Sequence, residues 1–245
     1  MATHRHNKRA LLRPLALLGL VAALLFVFAG QEAMAQVSTV VVPRRQPIQI
    51  AVVVDLPGGE GPLELIGQGA VNAVQMAIED HGDIQGFSVQ QNNFDGECDS
   101  TAGEAAAKAV VRNPKNVGVI GHLCSGSYRG GLPIYESAGV VTISGSATAP
   151  TSFLSPLGPT VFNRTVIAEV FPPGPDPVFD EWMGTVETLP TVITWQADYQ
   201  LRFPGELPEF AEFLPFFYDA TRLLLTRIDE VASMHRGGNL VIDRD

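Results

Sequence analysis

The feature that most constrains the fold of this chain is a regular alternation of short apolar runs with amphipathic stretches, which begins at Ile48. The β-branched run Ile48–Val54 is typical of a strand buried on both faces. The segments that follow predict helices over residues 67–81, Ser100–Arg112 and 128–138, and strands over residues 87–94, 117–121 and 140–144. Four strands separated by three helices predict an α/β fold with a doubly wound parallel sheet and right-handed crossovers. Ser100 is the predicted N-cap of the second helix.

Beyond Thr165 this alternation stops. Residues 171–177 contain four prolines and predict a linker, and residues 179–195 are ambiguous apart from a short β-prone piece at 191–194. Regularity returns at residues 215–234, whose apolar side chains fall on one face of a helix, and an apolar tail follows at 240–242. The sequence therefore predicts a second region that is reduced and irregular.

The first 35 residues have the composition of a signal peptide. A basic stretch precedes an uninterrupted apolar run over residues 15–29, and Ala33-Met34-Ala35 supplies the small-residue cleavage pattern. The apolar run is shorter than the roughly 18 residues of a membrane-spanning helix. An uncleaved membrane anchor is the alternative. We expect export, with a mature chain that starts near Gln36.

The charge of the expected mature chain limits its partners. Without residues 1–35 the chain has 12 basic and 25 acidic side chains, a formal charge of −13. Nucleic acids and anionic membrane surfaces bind basic patches, so neither is expected as a partner.

Cys98 and Cys124 are the chain's two cysteines. In an exported protein such a pair most simply predicts a disulfide, and a free, buried pair of thiols is the alternative. No metal site is expected, because two cysteines without a second pair or a histidine cluster do not supply four ligands. His122 beside Cys124 would suggest a thiol nucleophile, but a sulfur in a disulfide cannot attack a substrate. The sequence predicts no cofactor.

Three predicted loops meet where ligands bind in open parallel sheets, at the carboxyl ends of the strands. They comprise residues 55–65, 123–127 and 145–150. The second loop offers the hydroxyl groups of Ser125 and Ser127 at the start of a helix, which suits a carboxylate. The third adds Thr148 among small residues. The alternative interpretation is that these serines and glycines only form turns.

Three motifs together resemble a known family. They are Gly121-His122-Leu123-Cys124-Ser125, Phe94-Asp95-Gly96-Glu97-Cys98-Asp99 and the stretch from Ser144 to Pro150. They are similar to motifs of the leucine/isoleucine/valine-binding proteins, which are type 1 periplasmic solute-binding proteins of ABC importers. The resemblance covers residues 48–165 and resumes more weakly over residues 203–242.

The resemblance implies two α/β lobes that close on an amino acid. It assigns Cys98 and Cys124 to a disulfide of the first lobe, Ser125 and the backbone of Ser146 to the ligand carboxylate, and Thr148 to the neighbourhood of the α-ammonium. Residues 55–65 lack the aromatic residue that is common in the family's first loop. The second lobe, which supplies the acid for the ammonium, is reduced here to a short remnant.

These observations predict the following division of the chain: a signal peptide over residues 1–35, an N-terminal linker over 36–47, a first lobe over 48–165 and 204–245, and a second-lobe remnant or linker over 166–203. The implied function is capture of a branched-chain amino acid or similar small ligand for an ABC permease, in the periplasm or outside the cell, without catalysis. We expect weak binding, since half a cleft leaves the ligand facing water. The alternative function is a degenerate relative that acts as a protein-interaction or sensor module and self-associates through the uncovered lobe face. An enzyme ranks third, because no set of acid, base and closed pocket is visible.

Overall fold

The computed structural model describes residues 39–56, 62–146, 165–167, 190–206 and 214–244. These residues all belong to one compact unit. The predicted signal peptide, the proline-rich linker and Thr148 lie outside the described residues. Within the described ranges, no helix combines the length and the apolar character needed to cross a bilayer.

The described chain contains eight strands and five helices. In chain order they are β1 (Thr39–Val42), β2 (Ile48–Val54), α1 (Pro62–His81), β3 (Val89–Asp95), α2 (Ser100–Arg112), β4 (Asn116–Gly121), α3 (Ser125–Ala138), β5 (Val141–Ser144), β6 (Thr165–Ile167), α4 (Pro190–Arg202), α5 (Leu214–Val231), β7 (Ser233–Met234) and β8 (Leu240–Asp243).

The main sheet has five strands in the order β3-β2-β4-β5-β6, and all four pairings are parallel. Strand β2 is buried on both faces. Its residues Ile48, Ile50 and Val52 share a hydrophobic cluster with α1 and α5, whereas Ala51 and Val53 share one with α2 and α3. The doubly wound α/β sheet predicted from the sequence is confirmed, with helices on both faces.

The N-cap of α2 is Asp99 and not the predicted Ser100. Asp99 has extended backbone angles, and its Oδ1 accepts hydrogen bonds from the N–H groups of Thr101 at 2.7 Å and Ala102 at 3.1 Å. Both residue types are good N-caps, so local preference did not separate them. Helix α3 ends at Gly139, which adopts the left-handed conformation that favours glycine, as expected for a helix C-terminus.

The β-prone piece at residues 191–194 is helical, which contradicts the prediction. It forms the first part of α4, whose Tyr199 is fully buried in the same hydrophobic cluster as β2. The amide of Asn72 on α1 donates to the hydroxyl of Tyr199 at 3.1 Å. This tertiary packing outweighs the local strand preference of β-branched residues. Helix α4 thus shares a hydrophobic cluster with β2. The predicted division, which assigns residues 166–203 to a second-lobe remnant or linker, stays a prediction.

The predicted N-terminal linker over residues 36–47 includes a strand. Strand β1 pairs antiparallel with β8, the predicted apolar tail, and β8 pairs with the short strand β7. Val40 and Val42 of β1 and Leu240 and Ile242 of β8 are buried. Helix α5 ends at Val231, three residues before the predicted end, because Ser233 and Met234 pair with β8.

Candidate functional site

The candidate site lies at the carboxyl edge of the parallel sheet. Asp55 follows β2, residues 96–99 follow β3, residues 122–124 follow β4 and residues 145–146 follow β5. Because the strands are parallel, their ends lie at the same edge, which is where open α/β sheets bind ligands. This placement agrees with the predicted convergence of the three loops.

A disulfide joins Cys98 and Cys124, whose Cα atoms are 4.9 Å apart. The bridge connects the loop after β3 to the loop after β4, and β2 lies between these two strands in the sheet. It therefore crosses the end of β2 and fixes the start of α3 at the rim of the sheet.

Asp55 lies against this bridge. Its Oδ1 accepts a hydrogen bond from the backbone N–H of Cys98 at 2.9 Å, and its Oδ2 is 2.9 Å from Cys98 Sγ and 3.8 Å from Cys124 Sγ. Burial raises the pKa of the Asp55 carboxyl, and the negative charges of Asp95, Glu64 and Glu97 raise it further, against the opposing effect of the Cys98 N–H. The sequence analysis did not single out Asp55, although it is the first polar residue after the apolar run of β2.

The first turn of α3 is the predicted anion site. Cys124 is the N-cap and makes no side-chain cap hydrogen bond, and Ser125 begins the helix with its side chain exposed. The first N–H groups of a helix have no acceptor within the helix, and the helix dipole adds partial positive charge there. Ser125 is exposed at this helix start, and its predicted contact with a ligand carboxylate stays a prediction.

Ser127 points into the protein and is not available to a solute. Its Oγ lies 2.5 Å from Nδ1 of His122, and Nε2 of His122 lies 3.0 Å from the hydroxyl of Tyr135. Burial of the whole ring lowers the pKa of His122 to about 3, so the imidazole is neutral at pH 7. The arrangement is a buried structural network, and the prediction that the Ser127 hydroxyl faces a ligand is wrong.

Ser146 is buried and connects two of the loops. Its hydroxyl donates to the carbonyl oxygen of Leu123 at 2.9 Å, and its backbone N–H donates to Ser144 Oγ at 3.3 Å. The loop after β5 is thereby held against the loop after β4, next to Cys124. The predicted contact between a ligand and the Ser146 backbone stays a prediction, and Thr148 lies outside the described residues.

Asp55, Cys98 and Cys124 are also the one trio of potential metal ligands among the described residues, with their ligand atoms within 4.8 Å of one another. Sulfurs joined in a disulfide are not thiolates, and thiolates are the form in which cysteine binds metals. The oxidised protein therefore offers a single carboxylate here.

A second concavity lies near the amino ends of β4 and β5, away from the candidate site. It has a volume of about 400 Å³ and is bounded by the sheet, α5 and β8. Its lining is mostly apolar and includes Val117, Val141, Leu223, Val231 and Ile242.

A parallel sheet wound with helices on both faces, with its loops gathered at the carboxyl edge, is an architecture that lobes of the type 1 binding-protein class share with other α/β proteins. Residues 47–168 match the family described as periplasmic binding protein. The chain belongs to this family, in its type 1 form.

The relatives with curated names match part of the chain. The Leu/Ile/Val-binding protein of Escherichia coli K12 is 34% identical over 108 residues, which are 43% of this chain and 28% of that protein. A leucine-, isoleucine-, valine-, threonine- and alanine-binding protein of Pseudomonas aeruginosa PAO1 is 35% identical over 94 residues, 37% of this chain and 25% of that protein. The chain thus aligns with between a quarter and a third of the length of these relatives.

Among solved structures, an ABC transporter substrate-binding protein from Desulfitobacterium hafniense is similar over 77% of this chain and 85% of its own, with a TM-score of 0.51 and 16% identity. At that identity the likeness concerns the fold.

Proposed function

We propose that this protein is an exported solute-binding protein that holds a small amino-acid-like ligand, such as a branched-chain amino acid, at the carboxyl edge of its sheet. The observation that carries this proposal is Ser125, exposed at the start of α3, which the Cys98–Cys124 bridge fixes beside the ends of β2, β3 and β4. The names of the relatives, which bind leucine, isoleucine and valine, support the ligand class.

The edge has charge of both signs, which suits a zwitterion. The N–H groups of the first turn of α3 and the Ser125 hydroxyl would hold the carboxylate. Asp95 and Glu97 are exposed at the end of β3 and place negative charge on the same edge, where an ammonium group would be favoured. Ser146 would act by holding the loop after β5 in place, and Thr148 would lie near the ammonium.

The proposed biological role is delivery of the solute to an ABC permease from the periplasm or cell exterior. The family match and the names of the relatives support this role. Affinity should be low for this chain alone, because binding sites of this kind bury most of the ligand surface and the aligned region corresponds to one lobe.

Isothermal titration calorimetry tests the proposal on the chain that starts at Gln36, with leucine, isoleucine and valine at up to millimolar concentrations. We expect saturable binding that is weaker than micromolar. Ser125→Ala should lower the affinity by about 10-fold or more, because it removes the free energy of one hydrogen bond to a charged group. Ser137→Ala is the matched control, because Ser137 is exposed on the same helix and its hydroxyl bonds the Ile134 carbonyl.

Three results would each contradict a part of the proposal. Micromolar binding would overturn the expectation of low affinity. An unchanged affinity in Ser125→Ala would remove the assigned site, and the absence of heat with all three amino acids would remove the ligand class.

The apolar concavity favours one alternative, a protein-interaction module that self-associates. Leu223 and Val231 line it and are each 42% exposed. Size-exclusion chromatography with light scattering, over a range of protein concentrations, separates the two functions. A monomer at every concentration, with amino-acid binding, favours solute capture, whereas a concentration-dependent dimer without such binding favours the interaction module.

A further inference from the structure

We propose that reduction of the Cys98–Cys124 bridge turns this rim of the sheet into a binding site for a thiophilic divalent cation such as Zn²⁺, with Asp55, Cys98 and Cys124 as ligands. The cation site uses none of the groups assigned to the solute carboxylate, but it forms only after the bridge that fixes the start of α3 is broken.

The three ligand atoms are already gathered. The two sulfurs and a carboxylate oxygen of Asp55 lie within 4.8 Å of one another, and Oδ2 is 2.9 Å and 3.8 Å from the two sulfurs. Zinc binds sulfur at about 2.3 Å and carboxylate oxygen at about 2.0 Å in a tetrahedron. Small rotations of these side chains, after the bond between the sulfurs is broken, would bring all three to one ion, with water in the fourth position.

The carboxylate is oriented for this role by the backbone. The Cys98 N–H donates to Oδ1 of Asp55 at 2.9 Å, which leaves Oδ2 directed at the sulfurs. Hydrogen bonds of this kind, to the group that binds the metal, fix the orientation of the ligand and increase affinity.

The backbone also favours a thiolate at Cys124. Cys124 is the N-cap of α3, and the positive end of a helix dipole stabilises a thiolate. With the Asp55 carboxylate the two cysteine thiolates would form a site of three negative charges, which a divalent cation offsets.

The chemistry balances with a dithiol as reductant. The dithiol gives two electrons and two protons to the bridge and becomes a cyclic disulfide, while Cys98 and Cys124 become thiols. Each thiol then releases one proton to solvent as its sulfur binds the cation. The oxidised protein has no thiolate, so the oxidation state of the bridge decides whether the site exists.

The test uses the chain from Gln36, reduced with dithiothreitol and freed of it by gel filtration under nitrogen. Cd²⁺ serves as the probe, because its bonds to thiolates give an ultraviolet charge-transfer band. We expect one Cd²⁺ per chain in the reduced protein and none in the oxidised protein, and Zn²⁺ should displace it. Asp55→Asn removes a ligand and should weaken binding by at least the about 10–100-fold that loss of a hydrogen-bond partner of a ligand costs, whereas Asp229→Asn, on the distant face of α5, should not change it.

Reduction of the bridge could unfold the protein. Circular dichroism of the reduced chain, with and without Cd²⁺, measures whether this happens and whether Cd²⁺ reverses it. In that case Cd²⁺ should restore the folded spectrum, since binding energy at such a site is also folding energy. The proposal is overturned if the reduced chain shows no charge-transfer band, if Cd²⁺ fails to restore a lost fold, or if Asp55→Asn binds as tightly as the unaltered chain.

Discussion

His122 shows how one residue can have a role that its neighbours in sequence do not reveal. It lies two positions before a cysteine, which suggests chemistry, yet its ring is fully buried and both of its nitrogens lie within hydrogen-bond distance of hydroxyl groups, Ser127 Oγ and Tyr135 OH. Its neutral imidazole connects the loop after β4 to the interior of α3. The role is structural, and it positions the helix start that carries the candidate site.

The pKa of His122 predicts how stability depends on pH. In the unfolded chain the imidazole takes up a proton below its ordinary pKa of 6.5, whereas in the folded protein it stays neutral down to about pH 3. The unfolded state therefore binds more protons in this window. The free energy of unfolding should fall as the pH drops from 6.5 towards 3, by up to about 1.4 kcal/mol per pH unit from this imidazole.

Urea unfolding between pH 7 and the acid transition checks this prediction. His122→Gln should be less stable at neutral pH and should show a flatter pH dependence than the unaltered chain. His235→Gln changes an exposed histidine and serves as the control. An equal pH dependence in His122→Gln and the unaltered chain would show that this imidazole is not buried in its neutral form.

At the scale of elements, α2 and α3 pack so closely that only glycine fits at two contacts. A Cβ at Gly103 of α2 would collide with the carbonyl oxygen of Ser127, and a Cβ at Gly130 of α3 would collide with that of Ser100. The close approach places the starts of both helices beside the disulfide. Packing of backbone against backbone cannot be relieved by rotating a side chain.

We predict that Gly103→Ala destabilises the protein, although alanine raises intrinsic helix propensity by about 1 kcal/mol. The overpacking should cost more than this gain and leave a net loss of about 1–3 kcal/mol in the free energy of unfolding. Urea denaturation measures it, with Glu104→Ala as the control that loses only the exposed ion pair with Lys108. A more stable Gly103→Ala would mean that the helices are farther apart.

Strand β8 gives a second prediction at this scale. Ile242 is fully buried and Val241 is half-buried, because successive side chains of a strand point to opposite faces. Ile242→Ala should lower the free energy of unfolding by about 2–5 kcal/mol, and Val241→Ala should cost clearly less. Similar losses at both positions in urea unfolding would contradict the observed register with β1.

At the scale of the whole molecule, the disulfide ties together the ends of two strands that are not neighbours in the sheet. Its loop spans 26 positions, and removal of the bridge in the variant Cys98→Ser/Cys124→Ser should lower the free energy of unfolding by about 3–4 kcal/mol. Equilibrium unfolding in urea measures the difference. Thiol titration of the denatured, non-reduced protein is the companion measurement, and two reactive thiols per chain would contradict the bridge.

Much of the fold could be predicted from periodicity, because four of the five strands of the parallel sheet have a local signal. The fifth strand, β6, was not predicted from the sequence. The uninterrupted β-branched run of β2 indicates a strand that is buried on both faces, and the alanine-rich stretch of α2 predicts a helix. The disulfide between Cys98 and Cys124 could be predicted because the chain has two cysteines and is expected to be exported. Ser125 was predicted at a helix start by a turn motif, and the structure places it there with its side chain exposed.

Contacts between distant segments decided the rest. The pairing of β1 with β8 joins residues about 200 positions apart. Neither strand has a sequence pattern from which its partner strand could be predicted. Residues 191–194 are helical despite their β preference, because they belong to the helix whose Tyr199 packs against α1. The inward turn of Ser127 and the position of Asp55 under the bridge depend on how helices approach the sheet. The sequence by itself determined the class of fold, since this follows from local patterns, and it predicted the carboxyl edge of the sheet as the place for a solute. Only the tertiary structure decided which side chains at that edge face the solvent.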